Sequence, residues 1–306
     1  MKELRIGLIG CAGRGTLADH ANLPGKARVV AGADRYPEQR QMFLDRYREK
    51  YRTEPAVYTD YREMIDKEQL DGVVIASPDF LHEEHAVYAL EHRVPVYLEK
   101  PIAIAIDSAD RILEAAYAGR TKLVIGHNMR YMAFVRKMKE IIDAGTIGEV
   151  RAVWCRHFVS YGGDAYFRDW HARKAYSNSL LLQKGAHDID VIHFLAGSRT
   201  VRVNGMGNLS VYDKLPRRPA GEERIREGIA SVWKTDHWPP LEQKELYPVI
   251  EVEDVNMINM QLANGVMASY EQCFYTPDTC RNYTVIGTRG RLENYGDYSP
   301  KSDIQI

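Results

Sequence analysis

Leu4-Arg5-Ile6-Gly7-Leu8-Ile9 runs directly into Gly10-Cys11-Ala12-Gly13-Arg14-Gly15. The first six residues are a short apolar run, the pattern of a buried strand. The six that follow are a glycine-rich turn, and a helical stretch is expected from there through Leu23. A dinucleotide fingerprint has the form G-x-G-x-x-G between a strand and a helix. Here Ala12 takes the place of the middle glycine, with Gly13 beside it. Alanine is the smallest departure available, one methyl where the backbone should approach a diphosphate. The phosphates would lie on the amino end of the helix, where free N–H groups and the dipole attract anions. Gly10, Ala12, Gly13, Arg14 and Gly15 are therefore candidate cofactor contacts.

The next apolar run, Ala27 to Ala33, ends in Asp34. An acidic residue about 20 positions past the first glycine of the fingerprint binds the ribose hydroxyls of NAD. Asp34 would repel a 2′-phosphate, which favours NAD over NADP. Arg35 is a candidate to stack on adenine or to meet a phosphate.

Further apolar runs alternate with helical stretches. Asp71 to Ala76 leads to Ser77-Pro78, and the helix after it carries His82 and His85. Val94-Pro95-Val96-Tyr97-Leu98 leads to Glu99-Lys100-Pro101, followed by a helix near Asp107 to Ala118. Lys122 to Gly126 is the next run. This alternation predicts a parallel, doubly wound sheet. Proline removes a donor and biases its predecessor toward extended geometry, so Lys100 should be held at a strand's carboxyl end, the edge where open α/β sheets bind ligands. A lysine there can move a proton if its surroundings lower its pKa. Alone, Glu-Lys-Pro reads as a solvated strand end; the nucleotide signature in the same half makes Lys100 a candidate base. Ser77, Pro78, His82, Glu99 and Lys100 join the candidate cofactor contacts.

With 306 residues, 45% of them hydrophobic, the chain suits about two domains with sizeable cores. A net charge of −1 with no sustained basic stripe gives no support to a nucleic-acid surface. Cys11, Cys155, Cys273 and Cys280 lack close metal spacing and fit free thiols in a reducing cytoplasm. The first strand begins at once, so no signal peptide is expected, and no apolar run reaches transmembrane length.

The domain change is expected near Gly126-His127-Asn128, giving domains 1–126 and 127–306. Tyr131 to Ala144 reads as an amphipathic helix ended by Gly145. Strands are expected over Glu149 to Phe158, Val201 to Tyr212, Val249 to Leu262, Val266 to Phe274, Asn282 to Ile286 and Arg291 to Glu293. Asn264-Gly265 is a hairpin turn between two of them. The result is one mostly antiparallel sheet with a helix from about Gly185 to Leu195. Pro216 to Pro248, charged and proline-bearing, is expected to be an excursion with a short helix around Glu222 to Ile229.

Gln183-Lys184-Gly185-Ala186-His187-Asp188-Ile189-Asp190 is the reactive-looking cluster of this half. His187 and Asp190 share a helix face, but His193 is turned away, so a convergent metal ligand set is missing and no metal is expected. His187 reads either as a capping and core histidine or as a site residue whose tautomer Asp190 or a neighbour sets.

The ordered set of the Gly10 loop, Asp34, Ser77-Pro78, Glu99-Lys100-Pro101 and Gly185-Ala186-His187 resembles the Gfo/Idh/MocA oxidoreductases, over nearly the whole chain. The resemblance implies a Rossmann NAD(P) domain followed by an α+β domain whose open, mostly antiparallel sheet also makes subunit contacts, in a homodimer or homotetramer. It implies that Lys100 assists proton transfer beside the nicotinamide, that His187 faces the same site, that Arg130 lies close to the cofactor and that Trp170 lies near the nicotinamide. Family members often have an aspartate four residues before the histidine; Gln183 stands there in this chain. They also usually continue well past the strand at Arg291 to Glu293. Tyr161, Trp170, His171, Gln183, Lys184 and His187 are candidate substrate contacts, since rings pack on apolar sugar faces while polar groups bind hydroxyls. The reading is an NAD-dependent oxidoreductase acting on a sugar, polyol or related compound, with Lys100 as base and His187 binding the hydroxyl or relaying its proton. Two alternatives are an NAD-dependent glycosidase working by transient oxidation and a non-catalytic, cofactor-binding regulator.

Overall fold

The structure, a computed structural model, describes residues 2–160, 162–222, 243–296 and 303–306. It divides into two compact units, Met1–Gly126 and His127–Ile306.

The first unit holds strands β1 (Leu4–Ile9), β2 (Ala27–Ala33), β3 (Ala56–Tyr58), β4 (Gly72–Ile75), β5 (Val96–Leu98) and β6 (Leu123–Ile125). Helices α1 (Pro37–Tyr51), α2 (Tyr61–Lys67), α3 (His82–Glu91) and α4 (Ile106–Gly119) connect them. All strand pairs are parallel, in the order β3-β2-β1-β4-β5-β6. The order reverses between β1 and β4, which is where a doubly wound sheet opens its ligand crevice. Val73, Ile75, Val96 and Leu98 pack with Ala86, Leu90 and Ile112 of α3 and α4 in the main core of this unit. Two local expectations change. The helical stretch expected through Leu23 is a 3-10 helix over Gly13–Ala21, and it ends early because Leu23 instead exchanges backbone hydrogen bonds with Ala27 to launch β2. The strand expected from Val94 begins at Val96: Pro95 gives its carbonyl to the Val73 N–H at 2.8 Å but has no donor of its own.

The second unit holds α5 (Ala133–Asp143), β7 (Val150–Phe158), α6 (Gly162–Tyr166), α7 (Lys174–Ser177), α8 (Leu180–Gln183), α9 (Gly185–Ala196) and β8 (Thr200–Asn208). After these come β9 (Val255–Leu262), β10 (Met267–Cys273), β11 (Cys280–Gly287), β12 (Arg291–Tyr295) and β13 (Asp303–Gln305). They form one sheet in the order β13-β12-β11-β7-β10-β9-β8, antiparallel except for the β7–β10 pair. The β9–β10 hairpin turns at Asn264-Gly265, where Gly265 has φ +85° and the Asn264 carboxamide accepts the Val266 N–H. One sheet face buries Val153, Ile258, Met260, Ala268 and Val285 against Val191, Ile192 and Leu195 of α9 and Val135 and Met138 of α5.

Here too the strand limits move, for one identifiable reason. The fully buried Asp254 carboxylate accepts the backbone N–H groups of Ser210, Val211 and Tyr212 and the Ser210 hydroxyl. That knot turns the chain after Asn208, so the strand expected to reach Tyr212 stops early. The one expected from Val249 starts at Val255, while Ile250 and Val252 fill a separate core with Phe167, Tyr212 and Phe274. The helix expected around 222–229 lies, from 223 onward, outside the described residues.

Candidate active site

In the first unit the candidate residues stand on loops that leave the carboxyl ends of neighbouring strands. Gly10 has φ +89°, and a Cβ on it would come within 2.8 Å of the Ala76 carbonyl carbon and the Ser77 nitrogen. A Cβ on Gly15 would lie 2.3 Å from the Gly10 oxygen. Both glycines are thus demanded by close backbone approach, and together they press the loop onto the end of β4. Asp34 ties the same loop to β2: one carboxylate oxygen accepts the Cys11 N–H at 2.9 Å and the other accepts the Tyr36 N–H at 3.0 Å. A carboxylate offers about four lone-pair sites, so the group is fixed in place with acceptor capacity left for ribose hydroxyls. A tight glycine loop, a helix start and an anchored acidic residue are what an NAD diphosphate and ribose require, and the residues present fit the group. Arg35 is exposed, lies over the Tyr36 ring with its guanidinium carbon 4.6 Å from the centroid, and bonds the Tyr36 hydroxyl.

At the ends of β4 and β5 the side chains turn inward. The Ser77 hydroxyl meets His85 Nδ1 at 2.9 Å. His82 is fully buried, with Nδ1 at 2.7 Å from the Pro101 oxygen and Nε2 at 3.0 Å from the Ser77 oxygen. It therefore braces the two loops against each other. Glu99 is buried, accepts Arg14 Nη2 at 2.9 Å and lies 3.3 Å from the Lys100 N–H. Lys100 is 9% exposed and precedes a cis peptide bond to Pro101.

In the second unit, α9 carries a polar system that sequence reading missed. Asp188 is fully buried; its Oδ1 is 2.9 Å from Arg281 Nε and its Oδ2 is 3.0 Å from His157 Nδ1. The hydroxyls of Tyr270 and Tyr283 also donate to it. Register explains the assembly: Tyr270, Cys155 and Tyr283 are paired across β10, β7 and β11, and Gln272, His157 and Arg281 form the next inward-facing row. Burial pushes the Asp188 carboxyl up, but the Arg281 charge, His157 and the hydroxyl donors overcome it and hold it well below the usual carboxylate range. Burial, then the Arg281 charge, pushes the His157 ring down to about 3 against the pull of Asp188. Alternation along β7, β10 and β11 would have put His157, Gln272 and Arg281 on one face, had the register been known.

Asp190, offered as a partner for His187, receives the Arg130 guanidinium on both oxygens, at 2.6 and 2.7 Å. Arg130 is thereby committed to α9. Lys184 has its ammonium 5.5 Å from the centroid of the Tyr166 ring, which meets His171 edge-on. His171 stacks on Trp170 with centroids 3.7 Å apart and bonds Asp169. The structure so brings Trp170, His171 and Lys184 into one ring cluster. Gln183 is buried at the end of α8 and His187 is half-buried on α9. Tyr161 lies outside the described residues. Among the described residues no group of three or more His, Cys, Asp or Glu side chains is placed to hold a metal ion, and no helix is long and apolar enough to cross a membrane.

Two histidines set an acid limit on stability. Burial pushes His85 down to about 4, and His157 sits at about 3. An unfolded chain takes up these protons near pH 6.5, the ordinary histidine value. Between there and the folded values the unfolded state binds more protons, so stability is full above about pH 6.5 and is lost as pH falls. Each ring should contribute a loss of about 1.4 kcal/mol per pH unit within that window. Denaturant melts at pH 7, 6 and 5 are expected to fall steadily; flat midpoints would contradict the buried neutral rings.

Comparison with known proteins places these features in context. Residues 4–127 match the family described as an oxidoreductase family with an NAD-binding Rossmann fold, and residues 135–293 match the GFO/IDH/MocA C-terminal domain. The chain is 28% identical over 272 residues to YteT of Bacillus subtilis (strain 168), covering 78% of this chain and 64% of that protein. It is 33% identical over 200 residues to an inositol 2-dehydrogenase of Burkholderia multivorans (strain ATCC 17616 / 249), covering 63% of this chain and 55% of the relative. The chain thus spans less than two thirds of the length of either relative. A levoglucosan dehydrogenase solved with NADH and levoglucosan shares the fold, with a TM-score of 0.77, 20% identity, and coverage of 99% of this chain and 80% of that one.

Proposed function

The chain belongs to the Gfo/Idh/MocA family of oxidoreductases, and from that premise we propose that it is an NAD-dependent dehydrogenase of a polyol, sugar or related polyhydroxylated compound. The observation that carries the reading is the buried Glu99-Lys100 pair at the end of β5, two strands from the glycine loop. Bound NAD supplies the hydride-transfer chemistry. The protein's part is binding, orientation and proton movement. The Gly10 loop and the helix start receive the diphosphate, and Asp34 accepts the adenine ribose hydroxyls. Lys100 takes the proton of the reacting hydroxyl, and His187 is the second proposed catalytic residue. Trp170, His171, Gln183 and Lys184 are the proposed substrate contacts. Names of relatives that act on inositol and levoglucosan support the polyhydroxylated class.

A panel of inositols, sugars, polyols and nitrophenyl glycosides, followed for NADH and for released aglycone, tests the proposal. NADH formed in proportion to substrate supports it. Aglycone release without NADH would point to a redox-assisted glycosidase, and silence across the panel with intact NAD binding to a regulator.

The cofactor preference is a separate expectation. NAD should bind at least tenfold more tightly than NADP, about the effect of one unfavourable charge contact worth 1.4 kcal/mol. Calorimetric titration of both decides it, and equal affinities would mean that Arg35 outweighs Asp34.

Assembly is proposed from the second sheet's outer face. Trp154, Met206, Met257 and Met267 point away from α9 and are 48–77% exposed. Apolar surface of this kind ordinarily marks an interface. A homodimer or homotetramer mass by light scattering is expected, and a monomer at micromolar concentration refutes it. A reducing cytoplasm is the proposed setting, supported by the buried thiols of Cys11 and Cys155.

A further inference from the structure

The Arg14–Glu99 ion pair joins two candidate cofactor residues directly. Arg14 lies in the first turn after the glycine loop of β1; Glu99 follows β5. In the sheet, β4 stands between those strands. With neighbouring strands about 4.8 Å apart, the pair crosses roughly 10 Å of the crevice in which a dinucleotide lies. The two partners are unequal: the Arg14 side chain is 56% exposed and the Glu99 side chain 5% exposed. Arg14 has solvent around it in which to turn away, whereas Glu99 is enclosed.

We propose that Arg14 exchanges partners when cofactor binds, leaving Glu99 for the diphosphate, and that Glu99 thereby makes the site select a dinucleotide over a mononucleotide that carries the same diphosphate. The inference rests on the cofactor reading above. A guanidinium suits phosphate oxygens as well as a carboxylate, and the diphosphate is expected on the helix start where Arg14 sits. Once Arg14 leaves, Glu99 is a buried carboxylate without its cation, which is unfavourable unless new donors arrive. NAD brings them. Its second ribose would be carried beyond the diphosphate, and the ribose hydroxyls could donate to an acceptor-only carboxylate such as Glu99. ADP has the diphosphate but no second ribose, so it would take Arg14 and leave the buried Glu99 carboxylate without a cation, with the Lys100 N–H still on it. The glycine loop alone would bind both; the exchange penalises the fragment.

Calorimetric titration of ADP and NAD into the wild type, Glu99→Gln, Arg14→Gln and the double variant tests this. Glu99→Gln should bind ADP about fivefold more tightly, the upper range for a partly exposed ion pair, with NAD unchanged or weaker. In the Arg14→Gln background the same change should give no ADP gain. Glu99→Asp keeps the charge but draws it back from Arg14, so it should reproduce the gain and guards against a glutamine variant that folds poorly. An ADP gain that persists without Arg14 means simple charge repulsion and overturns the exchange. So does NAD binding in the wild type with no ADP gain in either Glu99 variant. A wild-type chain that binds neither nucleotide overturns the cofactor reading and the exchange with it.

Discussion

Lys100→Met is expected to lower turnover by about 10²–10⁴, the usual loss for a positioned acid–base group, while NAD affinity stays within about threefold of wild type. Methionine retains most of the aliphatic stem in a site that leaves Lys100 only 9% exposed. The substitution therefore removes the proton-carrying ammonium with little change in packing. The glycine loop and Asp34, which are proposed to hold the diphosphate and adenine ribose, stand on other strands and are untouched. Gly10→Val is the contrasting variant. Its φ of +89° disfavours any side chain, and its Cβ would sit 2.8 Å from backbone atoms of Ala76 and Ser77. It should lose NAD affinity first and turnover only as a consequence. Steady-state kinetics on a substrate from the panel, with NAD binding measured in parallel, separates the two effects. A Lys100→Met enzyme with near wild-type turnover would mean that the base lies elsewhere, with His187 and Lys184 next in line.

Asp188→Ala is expected to destabilise the chain by about 3–5 kcal/mol, the range for breaking a buried ion pair on one side. The variant strips the carboxylate from Arg281 and His157, removes the acceptor of the Tyr283 hydroxyl and leaves the Tyr270 hydroxyl to Gln272 Oε1 alone, all beneath α9. A typical domain has only about 5–15 kcal/mol in total, so poor soluble yield is the expected phenotype. Asp188→Asn, which keeps one acceptor oxygen but loses the charge and turns the other oxygen into a donor, should fall between the wild type and the alanine variant. Denaturant unfolding measures both. A loss below about 1 kcal/mol for Asp188→Ala would mean that the network is internally compensated and that α9 is held by its apolar contacts alone.

The architecture was legible because each unit announces its period. In the first half, apolar runs of strand length end in Gly10, Asp34, Ser77 and Glu99-Lys100, and each of these residues follows β1, β2, β4 or β5 in the structure. Parallel strands buried on both faces read as continuous hydrophobic runs, so their limits stand out even without homologues. Asn264-Gly265 was equally clear, since the tight turn needs the positive φ that glycine supplies. In the second unit, strand limits failed where a distant side chain intervened. Nothing near Tyr212 in sequence indicates that Asp254 will take the amides of residues 210–212 and end β8 early.

Local sequence therefore determined the elements, their order and the candidate loops, because those depend on residues a few positions apart. Tertiary structure alone decided the pairings. It set Arg14 on Glu99, Arg130 on Asp190, His82 between two loop carbonyls, and Asp188 over the rows of β7, β10 and β11. Each of these joins groups that meet only after strand order and register are fixed. A one-residue slip of register would turn His157 and Arg281 to the opposite face of the sheet. A charged residue in a sequence announces that it needs a partner; only the fold says which one.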